Sequence, residues 1–130
     1  MSEMLVPVSP GEVIDKMTIL RIKSARMSDA AKLANVRREL ELLERTWRDS
    51  AYGRHDISAD EAALQAVNER LWDIEDRIRD KERAQAFDAA FIELARSVYI
   101  ENDERAAIKK RINVALGSKI VEEKSYASYR

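Results

Sequence analysis

Apolar residues recur along this chain at alternating spacings of three and four, which is the pattern of amphipathic α-helices. One series steps this way without a miss and puts its side chains on one side of a helix: Leu33, Val36, Leu40, Leu43 and Trp47. A second series does the same further along the chain: Leu64, Val67, Leu71, Ile74 and Ile78. The two series predict helices over residues 30–50 and 59–85.

Capping signals predict where two of the helices begin. Ser9 is followed by a proline and, three positions on, by Glu12, which is the pattern of a capping box with Pro at the first helical position. The apolar residues behind it predict a helix over residues 10–27. Ser58 and Glu61 have the same spacing, so they predict a second capping box in front of the helix that starts at 59.

A fourth helix is predicted over residues 88–116, with Asp88 at its N-terminus. Its apolar stripe is interrupted by the polar side chains of Glu101 and Arg105. The helix either breaks near Asn102 or continues with a polar layer in its buried stripe. Continuity is favoured because no Gly or Pro lies in this stretch.

Four amphipathic helices with short connections favour antiparallel neighbours. We therefore expect an all-α fold, an antiparallel up-down-up-down four-helix bundle with an irregular C-terminal tail. No linker or repeat divides the chain, and 130 residues suit one hydrophobic core. A single domain over residues 1–130 is the prediction.

Composition adds several exclusions. Charged residues make up 36% of the chain, yet the net charge is only −1, which does not favour a nucleic-acid partner. The chain has no Cys and one His, at position 55, so thiolate catalysis and Cys- or His-rich metal sites are excluded. No secretory signal pattern and no apolar run of about 20 residues is present, so no membrane association and a cytoplasmic location are expected.

Several blocks of the sequence resemble a family of small bacterial and phage proteins that is catalogued only as a domain of unknown function. They are VPVSPGEVIDKMTIL (6–20), KLANVRRELELL (32–43), LWDIEDRIRDKE (71–82), FIELARSVYIENDERAAIKKRIN (91–113) and GSKIVEEKSY (117–126). The resemblance covers nearly the whole chain and implies a stand-alone helical protein with no established activity. It also implies a link to surface-carbohydrate biosynthesis, and it assigns no catalytic residue.

The polar interruption of the fourth helix is the main candidate site. If the last two helices form a hairpin that turns near residue 87, Arg105 comes level with residues 68–72, and the first two helices add further guanidinium groups. Such a cluster suits a phosphate or carboxylate ligand, and its candidate residues are Arg21, Arg38, Glu69, Trp72, Asn102 and Arg105. The alternative is a buried ion-pair layer that joins Arg105 to Glu69 or Glu101.

Two enzyme classes have weaker support. Paired carboxylates spaced like those of all-α pyrophosphohydrolases would hold Mg²⁺ against a polyphosphate: Glu41, Glu44, Asp73 and Asp76. Arginines next to the second pair favour ordinary surface ion pairs instead. The start of the first helix, residues 12–21, is reminiscent of all-α chorismate mutases, which bind a dicarboxylate. No other cofactor is expected.

A non-catalytic module is therefore favoured, with a protein or an anionic small molecule as its partner. The alternative is a small enzyme for a phosphorylated or carboxylated metabolite. Some apolar side chains fall outside the helical series, and surface of this kind is commonly buried by self-association. They predict a homodimer: Leu42, Tyr52, Ile57, Tyr126 and Tyr129.

Overall fold

The computed structural model describes residues 3–129, and in that range it contains four α-helices and no strand. The helices are α1 (Pro10–Arg26), α2 (Ala30–Asp49), α3 (Ser58–Arg83) and α4 (Ala89–Ala115). Each bound lies within two residues of the predicted one. The all-α class is confirmed, and no helix in the described range is long and apolar enough to cross a bilayer.

Side-chain caps begin three of the helices. The hydroxyl of Ser9 accepts a hydrogen bond from the Glu12 amide at 3.2 Å, and α1 has a proline in its first turn as predicted. Asp29 and Asp88 cap α2 and α4 in the same way. These caps satisfy amide groups that have no partner inside the helix.

The capping box predicted at Ser58 and Glu61 is wrong. The N-cap residue of α3 is Ile57, and no side chain caps this helix. The carboxylate of Asp56 takes the amide of Ser58 at 3.0 Å, so Ser58 becomes the first helical residue. The hydrogen bond from the Ser58 amide to Asp56 therefore places Ser58 inside the helix and not at its N-cap.

Helix α4 runs without a break through Asn102, as favoured from its sequence. It ends in a Schellman motif, in which the amide of Ser118 donates to the Asn113 carbonyl at 2.9 Å. Gly117 supplies the left-handed backbone that this motif needs, with a φ of 66°. The tail that follows is irregular and lies along α4, because Lys109 pairs with Glu122 at 3.1 Å.

Helix α1 is the central element, since it approaches each of the other three helices, whereas α2 approaches α1 alone. The core joins α1, α3 and α4 through Ile14, Met17, Leu64, Val67, Ile108 and Ile112. Helix α2 contributes partly buried side chains to it, Leu40, Leu43 and Trp47.

The core occupies only one part of the α3–α4 hairpin. Between residues 69 and 107 no side chain is buried. The two helices pair along this length, for example through Arg70 and Glu101 at 3.0 Å and through Lys81 and Asp88 at 2.9 Å. The buried core therefore lies near the open end of the hairpin, away from its turn.

Candidate functional site

A buried carboxylate lies where α1 meets α4. Asp15 has only 1% of its surface exposed, although a lone buried carboxylate is costly in free energy. Arg105 of α4 compensates its charge with two parallel hydrogen bonds, from Nε at 2.9 Å and from Nη2. This fork is the strong, bidentate form of an Arg–carboxylate pair.

Helix α3 completes the cluster. The amide nitrogen of Asn68 donates to Asp15 Oδ1 and to the hydroxyl of Thr18, both at 2.9 Å. The Thr18 hydroxyl in turn donates to the Asp15 backbone carbonyl at 2.7 Å. Within the described residues no buried side-chain nitrogen or oxygen lacks a partner, so the cluster joins three helices without an unsatisfied buried atom.

The two cations beside Asp15 are held in their charged forms. The hydrogen bond to Asp15 raises the pKa of Arg105 above its ordinary value, although burial acts in the opposite direction. Burial alone would lower the pKa of Lys109, but hydrogen bonds to Glu12 and Glu122 raise it. Lys109 lies 2.7 Å from Glu12. Both cations therefore already have carboxylate partners from the chain itself.

A close approach of backbones brings α1 and α4 together at this point. The amide of Gly11 donates to Asn113 Oδ1 at 2.7 Å, and both groups are buried. A Cβ atom at Gly11 would lie 2.6 Å from the Lys109 carbonyl oxygen, which is far inside van der Waals contact. A glycine is therefore needed here, one turn before Asp15.

A groove of about 480 Å³ opens beside the buried cluster, between α1, α3 and α4. We call it the Trp72 groove. One end is polar and is lined by Asn68, Asn102 and Arg105, and its apolar lining consists of Ile19, Ile22, Leu71 and Trp72. The charged side chains of Glu75, Asp76 and Arg79 complete the lining. The guanidinium carbon of Arg26 lies 5.9 Å from the centre of the Trp72 ring, so a cation–π contact helps to fix the indole.

The polar end keeps hydrogen-bonding capacity that the protein does not use fully. Arg105 Nη1 has only a long contact, 3.5 Å, to Asn102 Oδ1. The hydrogen bonds of Asn68 in the described residues all use its amide nitrogen, which leaves its carbonyl oxygen as an acceptor. Asn68 has 5% of its surface exposed, so this acceptor is fixed in place by the cluster behind it.

Three of the six candidate residues come together in this groove: Trp72, Asn102 and Arg105. The other three lie outside it and have partners elsewhere. Arg21 donates to Glu61 at 2.7 Å, Arg38 donates to Asn35 at 3.2 Å, and Glu69 accepts from Gln65 at 3.1 Å. The structure therefore assembles part of the predicted cluster.

The predicted ion-pair partner of Arg105 is wrong. Glu69 and Glu101 were the expected carboxylates, but Glu101 pairs with Arg70 and Arg105 pairs with Asp15. The hairpin register that suggested Glu69 concerns α3 and α4 only. It takes no account of α1, which contacts both of them.

One signal in the sequence points to Asp15. Helix α1 has apolar residues on nearly all of its sides, Val13, Ile14, Met17, Ile19, Leu20 and Ile22, and such a helix is buried all round. The polar residues within it, Asp15 and Thr18, must then be buried and must find partners. Nothing comparable in α3 marks Asn68, because it lies next to an ordinary apolar series.

The carboxylates of the magnesium alternative are not assembled. Glu41 pairs with Arg45 on its own helix, and Asp73 pairs with Arg26 of α1. Across residues 3–129 no group of three or more His, Cys, Asp or Glu side chains is placed to hold a metal ion. The surface ion pairs favoured over Mg²⁺ were expected from arginines next to Asp73 on α3, whereas the partner of Asp73 lies on α1.

The fold and the site define an all-α protein with a charged layer inside its core and a mixed polar and apolar groove beside it. The chain belongs to the family of unknown function DUF6165, which it matches over residues 4–129. No curated protein and no solved structure matches it.

Proposed function

We propose that this protein is a non-catalytic binding module that holds a small carboxylate-bearing molecule in the Trp72 groove. The observation that carries the proposal is the state of Arg105. Two of its nitrogens are bound to Asp15, and Nη1 retains only the 3.5 Å contact to Asn102 at the polar end of the groove. The guanidinium is thus fixed by a buried partner while one donor edge remains for a ligand.

The charges of the groove decide which anion it can hold. Arg105 and Lys109 are already paired with Asp15, Glu12 and Glu122. Arg79 pairs with Glu75, and Asp76 adds an acidic side chain to the lining, so the site has no positive charge in excess. A phosphate with two negative charges would need the full guanidinium fork or further cations. One carboxylate can accept from Arg105 Nη1 and from the Asn102 amide, and a hydroxyl or amine of the ligand can donate to Asn68.

The apolar side of the Trp72 groove suits the part of the ligand that lies beyond its carboxylate. Trp72, Leu71 and Ile22 lie beside the polar end, and an indole stacks well on a flat or apolar ring face. The groups at the polar end are two amides and a guanidinium, and none of these exchanges a proton near neutral pH. Binding is therefore favoured over catalysis.

The test uses the indole signal of Trp72 in a proton–nitrogen NMR spectrum, assigned with Trp72→Phe. Three probes are titrated separately: glucuronate, 4-hydroxybenzoate and inorganic phosphate. We expect a carboxylate probe to shift the Trp72 indole and the Asn102 side-chain amide, and phosphate to shift neither. Glucuronate is included because the link to surface-carbohydrate biosynthesis, which the family resemblance implies, stays a prediction.

The discriminating variant is Asn102→Leu, which removes one ligand contact and leaves the Asp15–Arg105 pair in place. It should weaken binding of the carboxylate probe at least tenfold, since a lost hydrogen bond to a charged group costs about 1.5–3 kcal/mol. Asn35→Leu is the matched control, because Asn35 is exposed on α2 and contacts only Arg38 among side chains. Equal weakening by both variants, or a response to phosphate alone, would contradict the proposal.

We also infer that the four helices are arranged as an antiparallel up-down-up-down bundle. It is supported by pairs that run in opposite chain directions along neighbouring helices. On α1 and α4 these are Gly11 with Asn113 and Asp15 with Arg105, and on α3 and α4 they are Asp60 with Arg111 and Arg70 with Glu101. The bacterial or phage origin that the resemblance implies stays a prediction.

A further inference from the structure

The part of the α3–α4 hairpin nearest its turn, residues 77–97, makes few contacts with the rest of the molecule. We call it the distal hairpin. Within the described chain its hydrogen bonds and ion pairs stay among the two helices, their turn and the adjoining residues Glu75 and Tyr99. None of its side chains is buried.

The apolar series of both helices nevertheless continues into this region. On α3, Leu64 and Val67 are 0% and 1% exposed, whereas Ile78 of the same series is only partly buried. On α4, Phe91 and Leu94 are partly buried as well. Two helices alone cannot bury a helical apolar stripe on all sides, because a stable bundle surrounds it with further helices.

The distal hairpin carries both a recess and a protrusion. The recess is a groove of about 600 Å³, and its apolar lining consists of Ala84, Ala86, Ala90 and Leu94. Its other lining residues are Arg77, Asp80, Lys81, Glu93 and Ser97. The protrusion consists of Phe87 and Ile92, which are 53% and 56% exposed. An apolar protrusion beside a recess with an apolar lining and charged residues of both signs is complementary to a second copy of itself, which is the requirement of a two-fold interface.

The charges on α3 are ordered in the same self-complementary way. Residues 73–76 carry three acidic side chains and no basic one, whereas residues 77–83 carry four basic and two acidic ones. Asp76 and Arg77, at the boundary, form none of the ion pairs found within 4.0 Å in the described residues, although the charge of Asp76 acts on Arg26 of α1. An antiparallel two-fold contact would set the acidic stretch of one copy opposite the basic stretch of the other, which gives specificity.

From this geometry we infer that the distal hairpin is a homodimer interface, in which two hairpins from two copies form an intermolecular four-helix bundle. The surface differs from the one expected from the sequence. Tyr52 stacks on Trp47 at 6.0 Å and Ile57 packs against the core, whereas Leu42, Tyr126 and Tyr129 are exposed but lie outside the distal hairpin. Asp76 and Arg79 also line the Trp72 groove, whereas Phe87 and Ile92 do not. The inference requires no ligand in that groove, so Ile92→Glu tests it separately from the proposed function.

The experiment is sedimentation velocity of the full chain over a hundredfold concentration range, without ligand. The wild-type protein should pass from monomer to dimer as its concentration rises. Ile92→Glu should raise the dimer dissociation constant at least tenfold, since it puts a charge into the apolar contact. Val114→Glu is the matched control, because Val114 is also on α4, is 66% exposed and lies outside the distal hairpin. This variant should leave the dissociation constant unchanged.

A charge exchange tests the direction of the contact. Arg77→Glu and Asp76→Lys should each weaken the dimer, and the double variant should recover most of the loss, as in a double-mutant cycle. Circular dichroism of each variant verifies that the monomer is folded. A wild-type monomer at every concentration would overturn the inference, and so would equal dissociation by Val114→Glu and Ile92→Glu, or a double variant no better than the single ones.

Discussion

At the scale of single residues, the Asp15–Arg105 pair decides whether the polar layer is structural, functional or both. A buried carboxylate that loses its cation keeps its desolvation penalty and has nothing to offset it. Because Asp15 is 1% exposed, we expect Arg105→Met to lower the free energy of unfolding by about 3–5 kcal/mol. Urea denaturation with an unchanged m-value measures this directly.

Arg111→Met is the control for this substitution. Arg111 pairs with Asp60 at 2.8 Å, but its side chain is 54% exposed, and exposed ion pairs contribute about 1 kcal/mol or less. The double variant Asp15→Leu/Arg105→Met should recover part of the loss, since no charge is then left buried. If Arg105→Met and Arg111→Met cost the same, the buried pair contributes no more than a surface pair.

Gly11 is a second residue at which the structure predicts the effect of a substitution on stability. A glycine inside a helix is ordinarily replaced by alanine with a gain of about 1 kcal/mol. At Gly11 the added Cβ would lie 2.6 Å from a backbone oxygen of α4, which cannot move without the helix. Gly11→Ala should therefore destabilise the protein by about 1–3 kcal/mol, measured by thermal or urea unfolding, and a gain in stability would show that α1 and α4 are less tightly apposed.

The site was only partly predictable at this scale, for a physical reason. Glu101 and Arg105 interrupt an apolar stripe, so this part of α4, with Asn102 beside them, is conspicuous in the sequence. Asp15 was missed as the group that holds Arg105, and so was the hydrogen bond from Asn68 to Asp15, because the burial of both residues results from how α1 lies against α3 and α4. The spacing of apolar residues describes each helix separately, so it does not reveal where side chains from three helices meet.

At the scale of the elements, the starts of the helices follow from local hydrogen bonds. Ser9 and Asp88 cap their helices as predicted, and Asp29 caps α2 in the same way, because a side-chain oxygen before an apolar series is a local signal. The signal failed at Ser58, where Asp56 supplies the competing acceptor. The bounds of the helices were therefore predictable to within two residues. The capping residue was predictable where only one side-chain acceptor lies near the start of the helix.

Asp88 gives a prediction on pH, since it caps α4 and also pairs with Lys81 at 2.9 Å. The hydrogen bond from Lys81 is the main cause that lowers the pKa of this carboxyl below its ordinary value, and the Phe91 amide lowers it further. A depressed pKa in the folded state means that the contribution is present above about pH 4, the unfolded value. It is lost as the pH falls through the folded value.

Asp88→Asn should therefore reduce the drop in melting temperature between about pH 4 and pH 2, because Asn still caps a helix but does not titrate. Lys81→Met should reduce the same drop, since Lys81 is the main cause of the shift. Thermal unfolding followed by circular dichroism at several pH values gives the comparison. A drop as steep in both variants as in the wild type would mean that the pair does not persist in solution.

At the scale of the whole molecule, the all-α class was predictable because every long segment has helical periodicity. The order of contacts was not, since α2 has as regular an apolar series as α3 but approaches α1 alone. The same limit applies to the distal hairpin. Its apolar series looks like core in the sequence, and only the structure shows that no residue between 69 and 107 is buried.

This uneven burial predicts uneven stability along the chain. Amides open locally at a lower free energy where few apolar side chains are buried. Hydrogen exchange in residues 77–97 should therefore be at least tenfold faster than in residues 64–68 and 108–113, which surround the core, a difference of about 1.4 kcal/mol or more in opening free energy. Exchange followed by mass spectrometry at a low and a high protein concentration measures both regions together.

If two distal hairpins pair, the higher protein concentration should slow exchange in residues 77–97 and leave exchange in the core region unchanged. Ile92→Glu should remove that dependence on concentration. Equal protection of the two regions at low concentration would mean that the hairpin and the core unfold as one cooperative unit, and that the exposed series needs no partner.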